Sequence, residues 1–215
     1  MFLPEGDWEV TEAEILRTRD ETRRLAEILT AATTGRVTSP AGTAVTLDLA
    51  GRTAIAVSSV QKAPGGWASM PDFAEAAIAP VEGTAAGVAV IEGSVNWLGR
   101  LAGPVRLRIE GGRIMAIEGG EDARRLEAVF AGGDAAARSV AELGIGTVPR
   151  GEIRGENLDK RLLGTAHLGF GDNHSIGGEQ RSTMHLDALM CGVTVALDGR
   201  PVVQGGRLVL DLTGC

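Results

Sequence analysis

The sequence predicts an α+β protein, a mixed or antiparallel β-sheet domain with flanking helices. Three observations predict it. One long amphipathic segment stands near the start of the chain. Short β-like runs separated by glycines fill most of the remainder. A second segment of helical composition interrupts those runs near the middle.

Residues 11–34, "TEAEILRTRDETRRLAEILTAATT", place Ile15, Leu16, Leu25, Ile28 and Leu29 on a charged background. Thr11 followed by Glu14 has the spacing of a capping box, so a helix is expected from there to Gly35. In "RVTSPAGTAVTLDLAGR", Val45, Leu47 and Leu49 alternate with Thr46, Asp48 and Ala50, the period of a half-buried strand. "TAIAVSSV" is a candidate partner strand. "QKAPGGWASMPDFAE" reads as a loop. "AAIAPVEGT", "GVAVIEGSV", "GPVRLRIEGG" and "RIMAIEGG" are short strands with glycine turns. Within "VRLRIEGGRIMAIEGG", Val105, Leu107 and Ile109 alternate with polar residues and Gly111-Gly112 closes a hairpin. Residues 120–141 are expected to be helical, broken at Gly132-Gly133. "GVTVALDGRPVVQGGRLVL" is a strand–turn–strand at Asp198-Gly199. A division into a helical segment, 1–36, and a metal-binding α+β domain, 37–215, fits this order.

Composition excludes several functions. The 215 residues carry a net charge of −7 with no basic run and 3% aromatics, which argues against nucleic acid as a partner. No apolar run reaches the 18 residues of a membrane span, and the N-terminus lacks the pattern of a secretion signal. Two cysteines, Cys191 and Cys215, make no disulfide framework, and a reducing cytoplasm is the expected compartment. Tyrosine is absent, so the core must rest on Ala, Val, Leu and Ile.

The chemistry-bearing residues are concentrated. All three histidines fall in "GTAHLGFGDNHSIGGEQRSTMHLD", residues 164–187. His185 and Asp187 are two apart, so on a strand both side chains point to one face, where an imidazole and a carboxylate suit a divalent metal. A surface His beside a surface Asp is the plain alternative. His167 lies in an apolar run 18 residues earlier, and a Gly-rich connection would let two strands bring it beside His185. A hydrogen-bonded core histidine is its alternative. Glu142 is flanked by Val140, Ala141, Leu143 and Ile145, and a carboxylate there is costly to bury unless paired or metal-bound. An exposed helix-end Glu is the other reading. Glu75 precedes the apolar stretch Ala76 to Ala79 and reads equally as a loop carboxylate.

The segments "PDFAEAAIAPVEGTAAG", "AELGIGTVP", "LDKRLLGTAHLGFGDN", "GGEQRSTMHLD" and "VTVALDGRPVVQGGRL" occur in the order and approximate spacing of the aminopeptidase T family. That family comprises dinuclear metallo-aminopeptidases. The chain also resembles the related 2,5-dihydroxypyridine 5,6-dioxygenases, mononuclear iron enzymes. The resemblance covers roughly residues 35–210. It implies metal ligands at Glu75, Glu142, His167, His185 and Asp187. In the dioxygenases the H-x-D pair and a His at the place of Glu142 hold the iron, and the equivalents of Glu75 and His167 are not kept.

Three departures accompany the likeness. His174 stands where the aminopeptidases have a tyrosine, only about 35 residues precede "RVTSPAGTAV" where the family has an N-terminal α/β domain, and the stretch between His167 and His185 is shorter. The resemblance therefore implies a metal-dependent hydrolase of small-molecule or peptide amides, a homo-oligomer with two divalent ions (Zn, Co or Mn) per chain. Glu142 and His174 are its candidate catalytic groups. The alternatives are an Fe(II) ring-cleaving dioxygenase and a metal-binding domain without catalysis. Asp159-Lys160 matches an acid–Lys pair of the peptidases and reads otherwise as a solvated turn.

Overall fold

The computed structural model describes residues 10–58, 60–63, 66–69 and 73–210. The stretch before residue 10 and Cys215 lie outside them. Helix α1 spans Glu12–Ala31. It is followed by strands β1 (Thr34–Thr38), β2 (Ala44–Asp48), β3 (Ile55–Val57), β4 (Val60–Ala63) and β5 (Gly66–Ser69). Next come β6 (Glu75–Ile78), β7 (Ala86–Ile91), β8 (Ser94–Val95), β9 (Gly99–Arg100), β10 (Val105–Glu110) and β11 (Arg113–Glu118). Helix α2 (Glu121–Ala131) leads to β12 (Val140–Gly146), β13 (Thr165–Gly171), β14 (His185–Cys191), β15 (Thr194–Leu197), β16 (Arg200–Gln204) and β17 (Arg207–Leu208). The α+β class expected from the sequence is the class observed, and every ladder between named strands is antiparallel.

The strands form an eight-stranded sheet, β11-β10-β7-β2-β1-β15-β16-β17, and a seven-stranded sheet, β3-β6-β12-β13-β14-β8-β9. One hydrophobic core joins them. Val37, Val45, Leu47, Leu107 and Ile109 enter it from the first sheet, and Ile78, Leu143, Ile145, Leu168, Phe170 and Met190 from the second. Leu25 and Leu29 of α1 and Leu126 and Phe130 of α2 complete it.

Helix α1 begins at the anticipated capping box. Thr11 Oγ1 accepts from the Glu14 N–H at 3.3 Å, and Glu14 Oε2 accepts from the Thr11 N–H at 3.0 Å. Replacing Thr11 by Ala removes the hydroxyl that caps the Glu14 N–H and is expected to cost about 1 kcal/mol, read as a lower denaturant midpoint. The hairpin β10–β11 is buried at Val105, Leu107 and Ile109 and exposed between them, as its alternation predicts. The β15–β16 turn uses Asp198 and Gly199 at φ 47° and 79°, the left-handed geometry that Asp and Gly tolerate.

Three expectations are corrected. Residues 55–57 do not pair with β2; they join β6 in the other sheet. The stretch read as a loop holds the antiparallel pair β4–β5. The helical reading of 120–141 runs too far. Helix α2 ends at Ala131 before Gly132-Gly133, and Val140 already starts β12. Every residue of β12 is buried, so the alternation that marks a half-exposed strand is missing from its sequence. No helix among the described residues is long and apolar enough to cross a membrane.

Candidate metal centre

The second sheet has two different faces. Ala76, Ile78, Leu143, Ile145, Ala166, Leu168, Phe170, Leu186, Ala188 and Met190 point into the core. Alternation along the same strands sends Glu75, Glu142, His167, His185 and Asp187 to the opposite face. Register then gathers them. Glu142 of β12 stands opposite Gly169 of β13, which stands opposite Asp187 of β14. A bulge at Ala141 shifts β12 by one residue and brings Glu142 into that row. His185 lies opposite Gly171, Gly144 opposite His167, and Gly146 opposite Glu75.

The glycines in these rows make the room. A Cβ on Gly169 would lie 2.7 Å from Glu142 Cβ, 3.0 Å from His185 Cε1 and 3.2 Å from Asp187 Oδ1. A Cβ on Gly144 would lie 1.9 Å from His167 Cε1. His167 is fully buried and has nowhere to retreat. Neither glycine was singled out from the sequence. The available signal was a glycine without turn partners inside an apolar run, in "AELGIG" and "AHLGFG".

Glu142 is the centre of the cluster. Its Oε1 lies 3.2 Å from His167 Nε2, and its Oε2 lies 3.1 Å from His185 Nε2. Asp187 Oδ1 is 3.0 Å from His185 Nε2 and 3.9 Å from His167 Nε2. Glu75 Oε2 is also 3.9 Å from His167 Nε2. One donor atom each from Glu142, His185 and Asp187 falls within 4.8 Å of the other two, the separation of ligands around a single cation. His185 Nδ1 is 2.6 Å from the Asp172 carbonyl, which can only accept, so Nδ1 donates and Nε2 faces the carboxylates.

Basic groups close the site. The 3₁₀ turn Asp159–Arg161 lies over this face and carries Lys160, whose Nζ is 2.8 Å from Asp187 Oδ2 and 3.5 Å from Glu75 Oε1. An Arg161 guanidinium nitrogen is 3.5 Å from Glu75 Oε1, and the group stacks over Phe73. The Asp159 carboxylate accepts from the backbone N–H groups of Arg154, Gly155 and Glu156. Asn96 brackets Asp187. Its Oδ1 accepts from the Asp187 N–H at 3.1 Å, and its Nδ2 donates to Asp187 Oδ2 at 3.4 Å. The sequence offered no signal for Asn96 or Arg161, because their roles come from pairings across the fold.

His174 is not brought into the cluster. It is exposed on the 3₁₀ turn His174–Ile176, with its Nε2 2.9 Å from an Arg181 guanidinium nitrogen.

Opposite charges crowd this site. Glu75, Glu142 and Asp187 are each at most 5% exposed, and Lys160, Arg161 and the His185 imidazole face them. Burial opposes ionisation of Glu142, but the adjacent His167 and His185 hold it down at about 2. Burial likewise opposes the charge on Asp187, and His167, His185 and Lys160 outweigh it and keep the carboxyl far below its usual range. Burial opposes protonation of His185, yet Asp187 and Glu142 push it up to about 11. Lys160 is raised in the same way, the carboxylates overcoming its burial.

These residues fit a divalent metal. Glu75 Oε2 is buried without a hydrogen-bond partner among the described residues, and mixed carboxylate–imidazole donors suit first-row cations. A cation that takes His185 Nε2 must displace its proton. Metal affinity is therefore expected to rise about tenfold per pH unit through the neutral range, below the value near 11. Calorimetry in buffers of different ionisation enthalpy checks this by the protons released on binding.

Comparison with known proteins follows the same line. No curated protein matches the chain. Among solved structures it resembles the 2,5-dihydroxypyridine dioxygenase of Pseudomonas putida KT2440, with a TM-score of 0.76 and 23% identity. That alignment covers 96% of this chain and 65% of the other. Wild-type AmpT from Thermus thermophilus is similar at a TM-score of 0.72 and 20% identity, over 91% of this chain and 56% of the other. The chain thus spans less than two thirds of the length of either, and at these identities the likeness establishes the fold. A family model matches residues 13–210, nearly the whole chain, and on that match the chain belongs to the 2,5-dihydroxypyridine 5,6-dioxygenase (NicX) family.

Proposed function

We propose that this chain is a metal-dependent hydrolase of amides, whose two divalent ions would be held by Glu75, Glu142, His167, His185 and Asp187. One observation carries the reading. The two oxygens of Glu142 face two different imidazoles, at 3.2 and 3.1 Å, which is the disposition of a bridging carboxylate. His185 and Asp187 would complete one site, and His167 and Glu75 the other. Bound metal would supply an activated water and polarise the amide carbonyl. The protein's own part is positional. The Asp172 carbonyl fixes the His185 ring, Asn96 fixes Asp187, and the Lys160 ammonium supplies positive charge beside the reacting group. The test is release of free amine from aminoacyl amides by protein loaded with Zn, Co or Mn in turn. Hydrolysis lost on Glu142→Ala supports the reading; no hydrolysis with any of these metals contradicts it.

A second reading, an Fe(II) ring-cleaving dioxygenase, is favoured by the family match and by the three-donor group Glu142, His185 and Asp187. Fe(II)-dependent oxygen uptake on 2,5-dihydroxypyridine distinguishes it, because a hydrolase consumes no oxygen.

A further inference from the structure

A cleft opens over the candidate metal centre. Its floor is Asp187, Lys160 and His167, and its two walls are the turn holding Asn96 and Trp97 and the segment Gly155–Asn157. Both walls are anchored to the site. Asn96 is tied to Asp187 through its side chain, and its backbone N–H donates to the Asp187 carbonyl at 3.1 Å. The opposite segment is held by Asp159, the residue before Lys160, whose carboxylate accepts from the Gly155 N–H at 2.7 Å.

Trp97 stands out on the first wall. It is 64% exposed, the most exposed large apolar side chain among the described residues. Its φ is +69°, a left-handed conformation that costs a bulky residue energy and that glycine would adopt without strain. Asp198, the other non-glycine residue at positive φ among the described residues, caps Thr33 and Thr34 with its carboxylate, whereas the indole is left in solvent. A large flat ring, held by a strained turn at the rim of a cleft that reaches buried Asp187 and His167, has the form of a stacking platform.

We propose that Trp97 is a substrate-binding residue, and that the cleft takes a substrate whose flat apolar group, an aromatic side chain, stacks on its indole. The reacting amide then lies beside Asp187 and His167, the candidate ligands that line the cleft. The assignment of the reacting group rests on the hydrolase reading; the stacking surface is tested apart from it.

The test uses ligands without a scissile amide. L-Phenylalaninol and L-alaninol are titrated by equilibrium dialysis into metal-loaded wild-type protein, Trp97→Phe and Trp97→Gly. Wild type is expected to bind phenylalaninol at least about tenfold more tightly than alaninol, a gap of about 1.4 kcal/mol. Trp97→Phe keeps the preference and Trp97→Gly removes it. Relief of the positive φ is expected to raise the melting temperature of Trp97→Gly, so misfolding would not explain its loss of binding. Equal affinities in wild type, no binding of phenylalaninol, or an unchanged preference in Trp97→Gly each overturn the proposal. Amide hydrolysis by wild type is measured in parallel. A preserved aromatic preference without hydrolysis retires the hydrolase reading and leaves the platform standing.

Discussion

Gly169→Ala is expected to weaken metal binding by about 10- to 100-fold or more, although it removes no donor atom. Outer-shell changes that disturb ligand orientation typically cost that much. The added methyl meets Glu142 Cβ at 2.7 Å, His185 Cε1 at 3.0 Å and Asp187 Oδ1 at 3.2 Å. All three residues sit on paired strands at the centre of the sheet, so their backbones cannot move apart cheaply. The carboxylates and the imidazole must rotate instead, and the convergence within 4.8 Å is lost. Overpacking of this kind also costs about 1–3 kcal/mol of stability. Calorimetric titration of the variant with Zn or Mn reads the first effect and a thermal melt the second. Wild-type affinity in Gly169→Ala would mean that the row Glu142–Gly169–Asp187 does not hold the metal.

The second large effect belongs to the double substitution Glu142→Ala with His185→Ala. It deletes the carboxylate shared between the two imidazoles and one of those imidazoles. Metal binding is expected to disappear from titration. Removing one partner of a buried ionic cluster typically costs about 3–5 kcal/mol, so the variant is compared with wild type by circular dichroism before titration. Unchanged metal stoichiometry in a folded double variant would sink the site.

Much of this site was legible in the sequence, and the reason is local. His185 and Asp187 are spaced for one face of a strand, and β14 is a strand. His167 and His185 flank a Gly-rich connection that does fold back, so β13 pairs with β14. Glu142 is buried as an acid in an apolar run, and that run is a central strand instead of a helix end. What was not legible depends on distant partners. Asn96 and Arg161 acquire their meaning by reaching Asp187 and Glu75, which lie in other parts of the chain. Gly144 and Gly169 are two of 31 glycines, and only strand register reveals what their missing side chains make room for. His174 shows the opposite case. Its position in the family pattern drew attention to it, yet here it faces Arg181 at the surface.

The central claim is that five side chains from four strands hold divalent metal, with Glu142 as the bridge. Elemental analysis of purified protein, with anomalous scattering to locate the ions, tests it most directly. The account predicts about two divalent ions per chain at this face of the sheet. A single ion held by Glu142, His185 and Asp187, or none at this face of the sheet, would contradict it.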